Sequence, residues 1–243
     1  MQSLLPVIAL LAAYVVGSLS FAVIVSRLMG LSDPRTFGSK NPGATNVLRS
    51  GSKAAAILTL LLDAAKGWLP VVLVKWYGLP YGLGDGTVAL VGLAAFLGHV
   101  FPVFFKFAGG KGVATALGVL LGVSAWLGAT TALLWLLLAV VFRYSSLASI
   151  MAAVLAPVLY VLGDGSFWYL NKSITLAITV MAAFLMYRHA ENIQRLIKGT
   201  ESKLGKKSAH SAGHQLHSHA AAKHGHRHPP AVNETKVTQK DTL

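Results

Sequence analysis

Cysteine is absent from the 243 residues, which excludes a disulfide framework, a thiolate nucleophile and a cysteine-ligated metal. Charge is scarce. Only 12% of residues are Asp, Glu, Lys or Arg, against about 25% in soluble domains. Acidic residues number eight, and no acidic cluster of the kind that holds Mg²⁺ for nucleotide-activated chemistry is evident. A basic n-region is missing too: the first positive charge, Arg27, follows the first apolar run, so the N-terminus reads as an uncleaved span and not as a removable signal peptide.

What is abundant is apolar. Hydrophobic residues make up 54% of the chain and the mean hydropathy is +0.61. The apolar runs cover roughly 4–29, 54–76, 87–107, 113–142, 147–162 and 173–187. A bilayer span takes about 20 residues, and backbone in hydrocarbon must satisfy its own hydrogen bonds. Continuous runs do so as helices, and the strict alternation of barrel strands is absent. The chain therefore reads as an all-α, polytopic integral membrane protein.

Charge sets the number of crossings. The run 113–142 is long for one span, with Lys106 and Lys111 before it and Arg143 after it. If positive charge marks the inside, both its ends are inside and it crosses twice, turning near Ser124 to Thr130. Seven transmembrane helices are expected, with the N-terminus outside and the C-terminus cytoplasmic. The net charge of +13 then gathers in loops on one face, where it meets anionic headgroups; no nucleic-acid partner is expected. Residues 1–201 form the transmembrane domain. Residues 202–243 read as a disordered, basic, His-rich cytoplasmic tail, including His210, His214, His217, His219, His224, His226 and His228. A solvated basic tail is favoured over weak metal binding, because composition alone fixes no geometry.

Three polar stretches interrupt the apolar pattern. The first, "GSKNPGATNVLR" at 38–49, crowds Ser39, Lys40, Asn41, Thr45, Asn46 and Arg49 into one loop, a cradle for an anion. The second, "AGGKGVAT" at 108–115, has Gly109, Gly110 and Gly112 for close backbone approach and Lys111 as a point charge at a helix start. It is not a Walker A loop, since Phe105 stands where that motif needs its first glycine. The third, "YRHAENIQRLIKGTE" at 187–201, puts His189 and Asn192 on one helix face, and Ile193, Leu196 and Ile197 on another, suiting an interfacial helix. Within the spans, Asp63 and Lys66 are three apart and read as a structural ion pair. His99 reads as a buried, hydrogen-bonded histidine beside Pro102.

Taken together, "GSKNPGATNVLR", "GHVFPVFFKFAGGKGVAT" and "RHAENIQRLIKGTE", with "DAAKG" at 63–67, resemble the acyl-phosphate-dependent glycerol-3-phosphate acyltransferases of bacteria, the PlsY family. The resemblance covers residues 4 to about 201. It implies a seven-helix enzyme of the bacterial cytoplasmic (inner) membrane, working without cofactor or metal in phospholipid biosynthesis. The implied reaction moves a fatty acyl group from acyl phosphate to the 1-hydroxyl of sn-glycerol 3-phosphate, giving lysophosphatidic acid and phosphate. The implied catalytic residues are His189, Asn192, Ser39 and Arg49. Thr45, Asn46, Gly109, Gly110, Lys111 and Gly112 fall on substrate-binding positions. Ser149 falls where a phosphate-contacting serine is expected, and Glu191 on a structural position. Implied partners are the two substrates, membrane lipids and, as a candidate, a soluble acyl-phosphate-forming enzyme. Lys40 and Ala108 depart from the family's more common Gly and Lys, as do Ser20 and Ala22 in "GSLSFA".

Two other classes compete at this stage. A carrier of organic phosphates would use similar basic loops, but carriers usually hold their site at the midplane between repeats. A transferase using a nucleotide-activated lipid would need the acidic cluster that is missing.

Overall fold

A computed structural model describes residues 4–205; the histidines expected in a basic tail lie outside the described residues. All named elements among the described residues are helical. The first apolar run forms α1 (Leu5–Gly17) and α2 (Phe21–Leu28), bent by 43° at residues 18–20. A short α3 (Ala44–Leu48) lies in the first polar loop. Then come α4 (Lys53–Tyr77), α5 (Asp85–Val100), α6 (Val113–Val123), α7 (Ala125–Phe142), α8 (Ser145–Leu162) and α9 (Lys172–Arg188), with α10 (Ala190–Ile197) turned 57° from α9.

The ambiguous run 113–142 is two helices, as its flanking charges predict. Ser124 leaves helical geometry, and its hydroxyl caps α7 by accepting from Leu127 N at 3.5 Å. The spans differ in one respect from expectation. Four stretches are individually long and apolar enough to cross, and the two bent pairs raise the count to six. The remaining candidate crossing, α6, has only 11 residues, about 16 Å of rise against about 30 Å of hydrocarbon.

The reason lies in where α6 starts. A Cβ on Gly67 would overlap the Thr115 carbonyl, and one on Gly118 the Ala64 carbonyl. Small residues let the two helix backbones approach. Farther along, Lys75 Nζ donates to the Val123 carbonyl. So α6 runs parallel to α4, with its first turns packed beside residues 64–67, in the middle of that helix. The loop 101–112 therefore descends into the bundle before α6 begins. Gly98 against the Tyr14 carbonyl and Gly17 against the Ala95 carbonyl pack α1 on α5 by the same device.

The bundle has two distinct ends. One carries the loops after α2, α5, α7 and α9. The other carries an aromatic loop, 163–171, in which Trp168 stacks on Tyr160 at 5.8 Å and Asn171 Nδ2 donates to Asp85 at 3.0 Å.

Candidate active site

The three polar stretches meet at one end of the bundle. The first loop is organised by Asn46, which is 2% exposed. Its Nδ2 donates to the carbonyls of Pro34 at 2.6 Å and Phe37 at 3.1 Å, and its Oδ1 accepts from Ser39 N at 3.1 Å. Gly38 has φ +59°, and a side chain there would strike Asn46 Oδ1. Asn46 thus acts on the loop's backbone and sets the positions of Ser39 and Arg49. Ser39, Thr45 and Arg49 themselves are exposed. Arg49 reaches across to Ser202 Oγ at 2.8 Å.

The glycine loop is held from two sides. Gly110 N donates to the His99 carbonyl at 3.2 Å. Arg188 donates to the Gly109 carbonyl at 2.7 Å and the Gly110 carbonyl at 3.3 Å. Gly112, φ +87°, opens α6 in the left-handed region, with the Phe96 ring where a side chain would begin. Between these fixed points Lys111 extends to Asn192, its Nζ donating to Oδ1. Burial lowers the Lys111 pKa to about 8, with nearby Glu201 working in the opposite direction.

His189 sits at the turn from α9 to α10 and is 2% exposed. Its Nδ1 lies 2.8 Å from the Leu185 carbonyl. A carbonyl only accepts, so Nδ1 carries the proton and Nε2 the lone pair. Burial first, and the Lys111 charge second, lower its pKa to about 4. At neutral pH the imidazole is uncharged.

Glu201 ties the third motif together. Its Oε1 accepts from Ser146 at 2.6 Å and Asn192 at 2.7 Å, and its Oε2 from Arg195 Nε at 2.7 Å. Burial raises its pKa, but these donors outweigh burial and hold it below the usual carboxylate value. Gly199, at φ +67°, turns the chain back after α10 and brings Glu201 under it. Glu191, expected to be structural, is 88% exposed in its side chain and meets Arg195 only at 3.5 Å. The hydrogen bonds that tie α8 and α10 together run through Glu201. The resemblance pointed to Glu191, whereas Glu201 reaches its partners only through the Gly199 turn.

Ser149 is also placed differently from expectation. Its hydroxyl donates to the Ser145 carbonyl at 2.7 Å and accepts from Trp135 Nε1 at 2.9 Å. It serves the α7–α8 contact, and Ser146, one turn nearer the loops, is the serine in the polar network. Asp63 and Lys66 do pair, at 2.8 Å, and both are buried. Two cavities, of about 190 and 220 Å³, lie away from the cluster, one apolar among α1, α4 and α5 and the other at the opposite end. The sequence reading missed Arg188 as a loop clamp, though its place beside His189 was a signal.

Residues 7–199 match the family model for glycerol-3-phosphate acyltransferase. The chain belongs to the glycerol-3-phosphate acyltransferase family. It is 71% identical over 208 residues to the glycerol-3-phosphate acyltransferase of Albidiferax ferrireducens, covering 86% of this chain and 93% of that one. The Bordetella pertussis acyltransferase is 58% identical over 195 residues, 80% of this chain and 90% of its own. Among solved structures, the glycerol 3-phosphate form of PlsY, an integral membrane glycerol 3-phosphate acyltransferase, superposes with TM-score 0.75 at 38% identity, over 82% of this chain and 96% of that one. Its lysophosphatidic acid form gives 0.73 at 37%, over 82% and 95%. This acyltransferase is thus a multi-pass integral membrane enzyme, and the carrier reading is set aside.

Proposed function

We propose that this acyltransferase takes its acyl group from an acyl phosphate and delivers it to the 1-hydroxyl of glycerol 3-phosphate, forming lysophosphatidic acid and releasing phosphate. The chain crosses a bacterial inner membrane seven times, with the three motifs on the cytoplasmic side. One observation carries this reading: Lys111 and Arg49 are held near the same network by neutral partners, Asn192 and Ser202. Cations anchored by amide and hydroxyl oxygens are ready to exchange those partners for phosphate.

Lys111 and the glycine-loop N–H groups other than that of Gly110 hold one phosphate; the planar fork of Arg49 grips the other bidentately. Ser39 and Thr45, exposed on the first loop, contribute hydroxyls beside Arg49. Asn192, fixed by Glu201, orients Lys111. Asn46 acts through the loop backbone. The glycerol hydroxyl oxygen attacks the acyl carbonyl carbon, the new ester bond forms, and the anhydride bond to phosphate breaks. The mixed anhydride supplies its own leaving group, so no enzyme-bound acyl intermediate is required. Neutral His189 accepts the hydrogen bond of the attacking hydroxyl at Nε2. Burial makes the imidazole a poor base, and in this reading the proton ends on a phosphate oxygen of a substrate. Catalysis comes mainly from positioning and from stabilising developing charge.

The test is acyl transfer by purified protein without added metal, using radiolabelled glycerol 3-phosphate and either palmitoyl phosphate or palmitoyl-CoA. Labelled lysophosphatidic acid is expected from the acyl phosphate alone. Equal turnover of palmitoyl-CoA, or none of palmitoyl phosphate, overturns the assignment of donor.

A further inference from the structure

Asp63, Lys66 and His99 form a buried polar group for which the transfer chemistry has no direct use. All three side chains are at most 7% exposed. Lys66 Nζ lies 2.8 Å from Asp63 Oδ1 and donates at 2.6 Å to the Leu19 carbonyl, which the α1–α2 break leaves free of a helical partner. His99 Nδ1 lies 3.6 Å from the same Asp63 oxygen. Ionisable groups at this depth are costly and are retained where they do something for the site.

The imidazole has a second end. Its Nε2 occupies the space in which a side chain on Gly110 would begin. The His99 carbonyl accepts from Gly110 N, and would also block a side chain on Gly109. His99 is therefore the floor of the glycine loop, and Arg188 is its clamp from the other side. The next residue is Lys111. A shift of the 109–110 peptides moves the loop N–H groups and the Lys111 amine together.

We propose that His99, packed beside the Asp63–Lys66 pair, is a positioning residue for glycerol 3-phosphate: it sets the height of the 109–110 peptides and so the geometry of the phosphate cradle. The inference rests on the reading of that loop as a phosphate-binding element.

The test is steady-state kinetics of four variants in detergent, alongside thermal unfolding of each. Asparagine reproduces the Nδ1 end of histidine and lacks the end over Gly110; glutamine reaches the Nε2 position. His99→Asn is expected to raise KM for glycerol 3-phosphate about tenfold, with kcat changed less than about threefold. His99→Gln should recover most of that loss. Gly110→Ala, whose methyl group meets Nε2, should be impaired more. The double variant His99→Asn with Gly110→Ala should outperform Gly110→Ala alone, because the shorter side chain makes room. A wild-type KM in His99→Asn overturns the proposal, as does an additive double variant. Equal loss of kcat and melting temperature in both His99 variants also overturns it, since that marks a purely structural residue. Absence of transfer from palmitoyl phosphate by the wild-type protein defeats the functional reading instead; an active wild type with an unaltered His99→Asn defeats only the positioning role.

Discussion

The two ends of the bundle are built from similar residue types and put them to opposite uses. At the aromatic end, most polar groups close short circuits, the Asn171–Asp85 bond and the Lys75 bond to the Val123 carbonyl being the long-range exceptions. Asp164 accepts from Leu170 N at 2.8 Å, Trp168 Nε1 donates to the Tyr160 carbonyl at 2.7 Å, and Asn171 caps its own helix. At the motif end the partners are far apart in sequence. Arg49 meets Ser202, Lys111 meets Asn192, and Ser146 meets Glu201. Local circuits fix a loop against its own helix. Long-range ones tie separate helices around a shared space, and at the motif end they hold two cations, Lys111 and Arg49, on side-chain amide and hydroxyl partners.

The largest effect that distinguishes the two ends should come from Lys111. Lys111→Met is expected to lower kcat/KM by about 10²–10³, read from acyl transfer at saturating palmitoyl phosphate. The charge also carries a pH signature. Lys111 loses its proton as pH rises through about 8, so KM for glycerol 3-phosphate should climb above that pH. Lys111→Arg, which stays charged, should remove the climb even if its base level is poorer. A flat profile in the wild type would separate Lys111 from phosphate binding.

A second effect sharpens the contrast within one motif. Glu201→Gln weakens the acceptor shared by Ser146, Asn192 and Arg195, whereas Glu191→Gln removes one exposed pair. The first should lower the melting temperature by about 5 °C and reduce turnover; the second should change either very little. The reverse order would return the structural role to Glu191.

The smallest effect should fall at the aromatic end. Asp85→Asn loses a charge in an exposed hydrogen bond to Asn171. Turnover is expected to stay within about twofold of wild type, with a slight loss of thermal stability. A large loss of acyl transfer would mean that the two ends are coupled through the helices.

These particulars show what sequence can and cannot report. The helical class and the split of 113–142 were legible because hydrophobicity and positive charge report directly on solvent. The shortness of α6 was not, since its start is set by backbone contact between Gly67 and Thr115. The three motifs were legible as chemistry, yet the division of labour inside them was not. Asn46 looks like a ligand contact until its amide is seen committed to two carbonyls and an N–H. Glu201 needed the left-handed turn at Gly199, and Arg188 needed the descent of a loop 78 residues away. Type and spacing give the ingredients of a site; which atom faces which depends on turns and close approaches that have no periodic signal.

The late start of α6 also bears on how two unlike molecules come to react. One proposed substrate is freely soluble in water; the other carries a fatty chain that stays among lipids. A helix whose first turns pack beside residues 64–67, in the middle of α4, carries its cationic threshold inward, away from the aqueous rim. Under the proposed reaction, solubility would keep the reactants in separate phases, and a cradle set part-way along α4 would bring the polar one toward the level of the oily one.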